Sequence, residues 1–458
     1  MSYYLDDTII AVSTPPGPGG IGIVRLSGTE ALNTATRIFI PAHESPALNP
    51  RKMCFGHLVD LETGEKLDSG YICYFPAPNS YTREDVVEIS LHGSPVILNE
   101  AVRLGVRAGA RPALPGEFTM RAYLHGRLDI IQAEAINDLI RASSLDQAKI
   151  SFRQVEGSLS KKLSLLREQL IDILVLLETR IEFPEEEISV TDQQIRSTIQ
   201  EVLKTLENLA GSYQRGRALL EGLTIALVGK TNVGKSTLFN TLLEEERAIV
   251  TPYPGTTRDF IRETIMVNGV LMKIIDMAGF GQAQHPVEEE GILRGQKLAN
   301  RADGILVLLD ASREETEEDM YILEKYRNKK RIIVFNKCDL PQKINKEKIL
   351  GLNLDVPAVE LSALTGQNVE KLRDLMVRTF SPSIDKNEEI ILHEHQKTLV
   401  EQMVVHLREA SRLLLEGFSE ELVAEELRSA VGLFAQIKGE IKPQEVLEQI
   451  FGRFCIGK

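Results

Sequence analysis

The stretch LTIALVGKTNVGKST at residues 223–237 constrains the fold of this chain more than any other feature. An apolar strand is followed by Gly229 and then by Gly234, Lys235 and Ser236, at the spacing of a phosphate-binding loop. Glycines let backbone N–H groups approach a phosphate at a helix N-terminus, while the lysine supplies charge and the hydroxyl can ligate Mg²⁺. The stretch therefore predicts an α/β domain that binds a nucleotide.

Two later motifs predict which nucleotide is bound. In IIDMAG, Asp276 ends a second apolar strand, where it can hold Mg²⁺ through water, and Gly279 can offer its N–H to a γ-phosphate. In NKCD, Asp339 can accept hydrogen bonds from N1–H and the exocyclic amine of guanine, a pair of donors that adenine lacks. The motifs therefore predict GTP rather than ATP.

The neighbouring residues have supporting roles around the base. We expect the stem of Lys337 to cover the guanine ring and Asn336 to brace the loop. In the ELSAL stretch, the backbone at Ser362 and Ala363 is expected to meet the guanine O6.

The sequence leaves the hydrolysis mechanism open. Phe280 stands where Ras-like proteins carry a water-orienting Gln, so an acid of the run at 288–290 could orient the water instead. The alternative for that run is a solvated helix start with acids in its first turn. Arg258 is a candidate arginine finger in cis, and Asn232 could ligate a monovalent cation or be structural.

The remaining segments predict a multidomain α/β chain. Residues 1–119 alternate strand-like runs with Pro and Gly clusters, which is typical of an α+β domain. Apolar residues recur at helical spacing in 120–220 and again in 381–458, on either side of the α/β domain at 221–380. We expect both helical segments to pack as one discontinuous domain, which would return the C-terminus to the first half of the chain.

Composition limits the class of protein. A formal net charge of -13 argues against general polyanion binding, so any RNA contact should be local. No apolar run reaches the roughly 20 residues of a membrane span, and the first residues lack a secretory pattern, so we expect a cytoplasmic protein. Four separated cysteines indicate neither a zinc site nor a disulfide framework.

The whole chain resembles the MnmE (TrmE) family of tRNA-modification GTPases. The resemblance rests on TPPGPGGIGIVRLSG, LPGEFTMRAYLHGRLDIIQAEAI, the phosphate-binding loop, PGTTRD, DMAG, NKCD and the final CIGK. Each GTPase motif fits many families, whereas the N-terminal stretch and the C-terminal tetrapeptide are specific to this one. Met277 departs from the commoner Asp-Thr-Ala-Gly, at a position whose side chain should not reach the nucleotide.

The resemblance implies a homodimer joined through its N-terminal domains, with Ras-like GTPase domains that approach each other and so drive hydrolysis. The water-orienting acid would be Glu288. Magnesium would be bound by Ser236 and Thr257, and potassium by Asn232, Thr251, Tyr253 and Thr256.

The resemblance also implies a modification reaction. With an FAD-dependent partner of the MnmG or GidA type, in a heterotetramer, the family adds an aminomethyl or carboxymethylaminomethyl group to carbon 5 of the tRNA wobble uridine. A 5-formyl- or 5,10-methylene-tetrahydrofolate supplies the one-carbon unit. Its contacts would be Arg25, Glu88, Arg127 and Lys458, although other members carry Lys in place of Arg127. Cys455 would lie near the one-carbon unit as a candidate catalytic group.

Motifs and resemblance together give the set of residues expected to contact GTP. These are Gly229, Asn232, Val233, Gly234, Lys235, Ser236, Thr237, Thr251, Pro252, Tyr253, Pro254, Gly255, Thr256, Thr257, Asp276, Met277, Ala278, Gly279, Asn336, Lys337, Asp339, Ser362, Ala363 and Leu364. Lys235 and Glu288 are the catalytic candidates within this domain. Two other readings remain: a ribosome-assembly GTPase, or a regulatory dimerising GTPase that binds no folate.

Overall fold

The computed structural model describes residues 7–42, 48–183, 190–244, 262–276, 297–352, 355–381, 389–439, 450–452 and 454–458. The chain divides into two compact units. The first unit comprises Met1–Ile140, Ser151–Lys204 and Glu401–Lys458, and the second comprises Arg141–Ile150 and Thr205–Val400.

The first unit contains a seven-stranded sheet. Its strands are β1 (Ile9–Val12), β2 (Gly19–Ser27), β3 (Phe39–Pro41), β4 (Cys54–Val59), β5 (Lys66–Phe75), β6 (Val86–Gly93) and β7 (Arg111–Pro112). The strand order is β3-β4-β5-β6-β2-β1-β7, with β1 and β7 parallel and all other neighbours antiparallel. Helices α1 (Ala31–Ile38) and α2 (Pro95–Arg107) share the hydrophobic core of this sheet.

Strand alternation separates the core of this sheet from its functional face. In β2, Val24 and Leu26 are buried in the core shared with the helices. Arg25 lies between them, and because successive side chains alternate along a strand it projects from the opposite face. The register pairs Arg25 with Glu88 of β6, so both charged side chains project from that face.

The rest of the first unit is helical. Its helices include α3 (Glu117–Leu124), α4 (Ile130–Ile140), α6 (Ser158–Glu182) and α13 (Glu420–Lys438). Helices α6 and α13 pack antiparallel, since Ser164 contacts Lys438 while Arg180 pairs with Glu420. Helices α5 (Leu145–Val155), α7 (Asp192–Glu221) and α12 (Glu394–Glu416) have residues in both units.

The second unit contains a six-stranded, mostly parallel sheet. Its strands are β8 (Leu223–Val228), β9 (Arg262–Val267), β10 (Val270–Asp276), β11 (Gly304–Asp310), β12 (Arg331–Asn336) and β13 (Ala358–Glu360). The order is β13-β12-β11-β8-β10-β9, and only β9 runs antiparallel to its neighbour. The helices are α8 (Lys235–Glu244), α9 (Glu317–Lys325), α10 (Lys346–Leu352) and α11 (Val369–Phe380).

This sheet is covered on both faces. In β8, Ile225 and Leu227 belong to one hydrophobic core, and Ala226 and Val228 belong to the other. A strand that is apolar at every position fits a parallel sheet between two layers of helices. The carboxyl ends of β8, β10, β11 and β12 share one edge, which is where α/β sheets bind ligands.

Membrane-spanning helices and metal-binding clusters are both absent from the described residues. None of the helices there combines the length and the apolar character needed to cross a membrane. In the same part of the chain, no cluster of three or more His, Cys, Asp or Glu could hold a metal ion. All four cysteines are free, and the thiol-bearing residue Cys455 is exposed.

Candidate nucleotide and tail sites

The loop after β8 adopts the conformation that its glycines permit. Gly234 has a φ of +97°, and a Cβ there would lie 2.2 Å from Nδ2 of Asn336. Asn232 is also left-handed, with a φ of 62°. The loop leads into α8, whose first residue is Lys235, so the turn points the free N–H groups of the helix start towards the loop.

The ammonium group of Lys235 is enclosed by its own loop. It donates to the carbonyl oxygens of Gly229 at 2.9 Å and Lys230 at 2.7 Å. The residue is 7% exposed. Burial lowers the pKa of Lys235, and the attraction of Asp276 and Glu318 offsets part of this effect. A buried cation held by neutral carbonyls is poised to gain from an anionic phosphate.

Two oxygen groups lie together where magnesium is expected. Oγ of Ser236 donates to Oδ2 of Asp276 at 2.8 Å. The other oxygen, Oδ1, is buried and has no hydrogen-bond partner in the described part of the chain. A hydroxyl beside a carboxylate with an unused oxygen suits Mg²⁺, which binds through oxygen ligands and retains water.

Asn336 joins the two halves of the nucleotide site, as expected of a bracing residue. Its Nδ2 donates to the carbonyl of Val233 at 2.7 Å, and its Oδ1 accepts from the N–H of Ala363 at 2.9 Å. Asn336 is 2% exposed, so these bonds satisfy both ends of a buried amide. The phosphate loop and the ELSAL stretch are thereby held by one side chain.

Lys337 and Asp339 differ in their contacts. Nζ of Lys337 donates to the carbonyl of Asn232 at 2.9 Å and pairs with Oδ2 of Asp310 at 2.6 Å. Burial raises the pKa of Asp310, but hydrogen bonds from Lys337 and Ser312 outweigh it and the net shift is downward. Asp339 is exposed, as a group that waits for a base would be.

The other predicted contacts in the described residues surround this framework. Val233, Ser362 and Ala363 are buried, whereas Thr237 and Leu364 are exposed. The remaining predictions lie outside the described residues: Thr251, Pro252, Tyr253, Pro254, Gly255, Thr256, Thr257, Met277, Ala278, Gly279 and Glu288. The potassium set beyond Asn232, and the water-orienting acid, therefore stay predictions.

A second site lies on the open face of the first sheet. Arg25 bonds Oε1 of Glu88 through Nε at 2.9 Å and through Nη2 at 2.7 Å. Its Nη1 donates to the carbonyl of Gly457 at 3.3 Å, and the hydroxyl of Ser13 donates to the same oxygen at 3.2 Å. The final residues of the sequence thus contact the charged pair on the sheet.

The backbone of the tail, residues 454–458, fits closely against this domain. Gly457 has a φ of +91°, and a Cβ there would lie 2.2 Å from the carbonyl oxygen of Val12. The carbonyl of Cys455 accepts from the N–H of Gly116 at 3.3 Å. Phe454 is 6% exposed, with its ring 5.4 Å from that of Phe451. The tail is therefore docked through both backbone and aromatic contacts.

Lys458 is partly buried within this arrangement. Burial lowers the pKa of Lys458, and the nearby guanidinium of Arg25 lowers it further. Glu88 and Cys455 act in the opposite direction but do not reverse the shift. The site therefore holds two adjacent cations at some electrostatic cost, which an anionic ligand would relieve.

A cavity of about 510 Å³ adjoins this cluster and is lined by Glu88, Tyr81 and Arg127 among others. The guanidinium carbon of Arg127 lies 5.0 Å from the centroid of the Tyr81 ring, and that of Arg25 lies 5.7 Å from it. Of the four predicted folate contacts, Glu88 and Arg127 line the cavity, while Arg25 pairs with Glu88 and Lys458 lies near both of them. The volume is within the range of pockets that bind small molecules.

The sequence analysis missed several residues of both sites. Tyr81, which contacts two of the predicted arginines, follows an ordinary turn sequence with no motif to single it out. Asp310 ends β11 as Asp276 ends β10, so its place at the edge of a parallel sheet was a signal that could have been used. Ser13 had none.

Comparisons with known proteins identify relatives of this chain. The family described as the GTP-binding protein TrmE N-terminus matches residues 8–127, and the family described as the MnmE helical domain matches residues 130–455. A solved structure of the FeoB G-domain from Methanococcus jannaschii aligns with 35% of this chain and 98% of its own, at 26% identity and a TM-score of 0.28. That score is too low to support a conclusion.

Similarity to curated proteins extends over the full chain. The tRNA modification GTPase MnmE of Aquifex aeolicus is 41% identical over 454 residues, which cover 99% of this chain and 100% of that protein. The protein of the same name from Natranaerobius thermophilus is 38% identical, with 99% and 100% covered. The chain therefore belongs to the MnmE family of tRNA modification GTPases.

Proposed function

We propose that this chain hydrolyses GTP and uses a folate one-carbon unit to modify the wobble uridine of certain tRNAs. The modification is an aminomethyl or carboxymethylaminomethyl group at carbon 5, made together with an FAD-dependent protein of the MnmG type. The observation that carries the proposal is the docked tail: Gly457 and Lys458 lie against Arg25 and Glu88, beside a cavity of suitable size.

The phosphate loop supports the GTPase half of the proposal. Gly229, Gly234 and Lys235 are arranged around a helix start, and Asn336 connects this loop to the stretch expected to meet guanine. When GTP binds, the ammonium of Lys235 leaves the loop carbonyls for the phosphates, where it stabilises developing negative charge.

Two ions complete this half. Ser236 and Asp276 would hold Mg²⁺, Asp276 through water, together with Thr257. A magnesium ion held there would supply charge neutralisation to the phosphates, and Asn232 would hold a potassium ion in place of the positive charge of an arginine finger. Glu288 orients the attacking water in the proposed reaction.

The open face of the first sheet supports the folate half. Oxygens of Glu88 can accept from the N–H groups of a pterin ring, while Arg127 and Lys458 suit the carboxylates of the glutamate tail. Tetrahydrofolate supplies a carbon at the formyl or methylene oxidation level. In this chain, Arg25 orients Glu88, and the tail holds Cys455 exposed beside the site.

The same sheet supports a homodimer. Ile40, Phe55 and Tyr71 of β3, β4 and β5 are 52%, 43% and 47% exposed, and the last two rings lie 5.6 Å apart. A contiguous apolar surface of this kind favours a protein partner. We propose that a second copy of this chain covers it, and that the GTPase domains then approach each other to drive hydrolysis.

The decisive experiment separates the two halves. Deleting residues 454–458 should abolish tetrahydrofolate binding and wobble uridine modification in cells, read by mass spectrometry of tRNA nucleosides, while GTP affinity stays at the parental value. Normal modification without the tail would contradict the folate half. If the parent protein itself does not bind tetrahydrofolate, the chain is instead a regulatory GTPase.

Hydrolysis needs its own measurement. Glu288→Ala should keep GTP affinity and lower kcat on the order of a hundredfold, the usual effect of removing one group that acts in the transition state. If the variant keeps the parental kcat, Glu288 does not orient the water and is a solvated acid at a helix start. Equal rates in sodium and potassium would remove the cation from the mechanism.

A further inference from the structure

The mouth of the folate cavity carries an excess of positive charge. Arg51, Arg83 and Arg127 all line it, and its one acid, Glu88, is paired with Arg25. The complete chain has a formal net charge of -13, so a cluster of three guanidinium groups is opposite in sign to the net charge of the protein. Such a local cationic surface attracts an anionic partner.

Each of these arginines is anchored by a neutral backbone carbonyl. Nη2 of Arg51 donates to Asn79 at 3.0 Å, Nη1 of Arg83 to His125 at 2.8 Å, and Nη1 of Arg127 to Ser80 at 2.9 Å. Within the described residues, none of the three forms an ion pair with a carboxylate. A guanidinium has five N–H donors, so most of each group's donor capacity is available to a ligand.

Other arginines of the same unit behave differently. Arg111 pairs with Asp7 and Glu117, and Arg121 pairs with both and with Glu84. Those two guanidiniums are neutralised within the fold. The three at the cavity are exposed and retain their charge.

Backbone conformation sets two of them apart again. Arg51 and Arg83 have φ angles of 59° and 63°, in the left-handed region that residues other than glycine rarely adopt. Residues held in such conformations cluster at ligand sites. The positions of these two side chains are thus set by a backbone conformation that costs conformational free energy.

We propose that Arg51 and Arg83 bind consecutive phosphates of a single RNA strand and so present one of its bases to the cavity, while Arg127 remains available to the folate carboxylates. The proposal rests on the proposed function, because the reacting uridine must reach the one-carbon donor. The Tyr81 ring already contacts the guanidiniums of Arg25 and Arg127. Phe75 lines the same cavity, is only partly buried and offers an aromatic face for base stacking, which is how proteins hold unpaired bases. That feature favours RNA over the poly-γ-glutamate tail of a folate, the other polyanion that could lie here.

The test uses the full-length double variant Arg51→Gln/Arg83→Gln. Glutamine keeps a polar side chain while the charges are lost. Because its amide ends two bonds short of the arginine Nη atoms that hold the two carbonyls, the thermal unfolding midpoint of the variant is measured as well. Binding of an unmodified tRNA transcript is measured by fluorescence anisotropy over a range of KCl concentrations. Because each single-strand phosphate contact contributes about 0.7 to the slope of log K against log salt, the slope should become shallower by about 1.4.

A matched control removes the same charge elsewhere in the unit. Arg103→Gln/Arg428→Gln changes two exposed arginines that pair with carboxylates on helices, away from the cavity. This variant should keep the parental slope. Equal slopes for all three proteins would overturn the proposal, as would a double variant whose thermal unfolding midpoint has dropped together with its RNA affinity.

Two further arms separate the sources of failure. If the double variant binds tRNA as the parent does but loses affinity for pentaglutamyl relative to monoglutamyl tetrahydrofolate, the arginines serve the folate tail and the RNA proposal is wrong. If the parent fails to restore wobble uridine modification in cells that lack it, the proposed function fails, whatever the salt slopes show.

Discussion

The phosphate loop and the docked tail each place a lysine where an anion is expected, buried in the loop and partly buried in the tail, but the surroundings of the two lysines are built differently. Lys235 is held by carbonyls of its own loop, six and five residues earlier. Lys458 lies in a site assembled from β2, β6 and the tail, in which Arg25 and Gly457 are separated by 432 positions. The first site is local in sequence, whereas the second exists only after the first unit has folded.

The two sites should differ in their sensitivity to mutations elsewhere in the chain. The phosphate loop needs only its own few residues to be ordered, so its entropy cost is local. The tail site forms only when every element that brings residue 457 to residue 12 is in place. Changes remote from the tail are therefore expected to weaken the proposed folate binding. The phosphate loop should respond mainly to changes within the second unit.

The largest expected effect comes from two matched glycines. Gly234→Ala and Gly457→Ala each force a Cβ to 2.2 Å from another atom, at φ angles of +97° and +91°. Left-handed strain of about 1–2 kcal/mol adds to overpacking of about 1–3 kcal/mol. Each variant should lose on the order of a hundredfold in affinity, the first for GTP and the second for tetrahydrofolate.

Isothermal titration of both ligands against both variants tests this prediction as a crossed pair. Each glycine variant is the control for the other, since its effect should not reach the other ligand. Loss of both affinities in either protein would show that the two sites are coupled, and the contrast drawn above would then be wrong.

The next effect concerns the brace of the nucleotide site. Asn336→Ala leaves the carbonyl of Val233 and the N–H of Ala363 without their partner. A buried polar group left unpaired costs about 1–3 kcal/mol. GTP affinity should fall between about tenfold and about a hundredfold, as read by fluorescent nucleotide titration. Parental affinity would mean that water replaces the amide and that the brace is dispensable.

Sequence reasoning reached much of the fold. The alternation of strands and helices in 221–380 and the helical spacing on both sides correspond to observed elements, because hydrophobic periodicity is a local property. The phosphate loop could likewise be found from one contiguous stretch. Its glycines are required by geometry that is the same wherever such a loop occurs.

The rest could not be obtained from local pattern. That Tyr81 contacts Arg25 and Arg127 depends on a turn, a strand and a loop after α3 meeting on one sheet face. The buried cluster of Arg121 with Asp7, Glu84 and Glu117 is likewise a product of tertiary packing. The four residues proposed to contact folate were predicted by resemblance to the family, and the structure shows which of them contact one another.

A smaller effect is expected from Tyr81, whose ring contacts two arginines of the tail site. Tyr81→Leu removes the ring that both guanidiniums contact, and each such contact contributes about 0.5–1 kcal/mol. The two contacts together contribute about 1–2 kcal/mol, so tetrahydrofolate affinity should fall about five- to thirtyfold. Tyr81→Phe is the matched control, since it keeps the ring and loses only the hydroxyl that bonds Thr119 at 2.9 Å. Equal losses in both variants would assign the effect to the hydroxyl.

The smallest effect is a pH dependence that belongs to the tail site alone. Burial and Arg25 lower the pKa of Lys458 in the docked state, so docking without ligand releases a proton. The stability of the unliganded site therefore rises with pH between that lowered pKa and the ordinary value of an exposed lysine. An anionic folate requires the charged form, so its affinity should fall over the same window, by at most about tenfold per pH unit.

Lys458→Arg separates this lysine from every other titrating group. A guanidinium stays protonated throughout the window, so the variant should bind tetrahydrofolate with a flat pH profile, while Cys455 and Glu88 remain as they are. Affinity is measured by titration at successive pH values, with circular dichroism at each value to show that the fold persists. A parental profile that is also flat would mean that Lys458 does not contact the ligand. If the affinity of the variant still falls with pH, the titrating group is not Lys458 and the prediction is wrong.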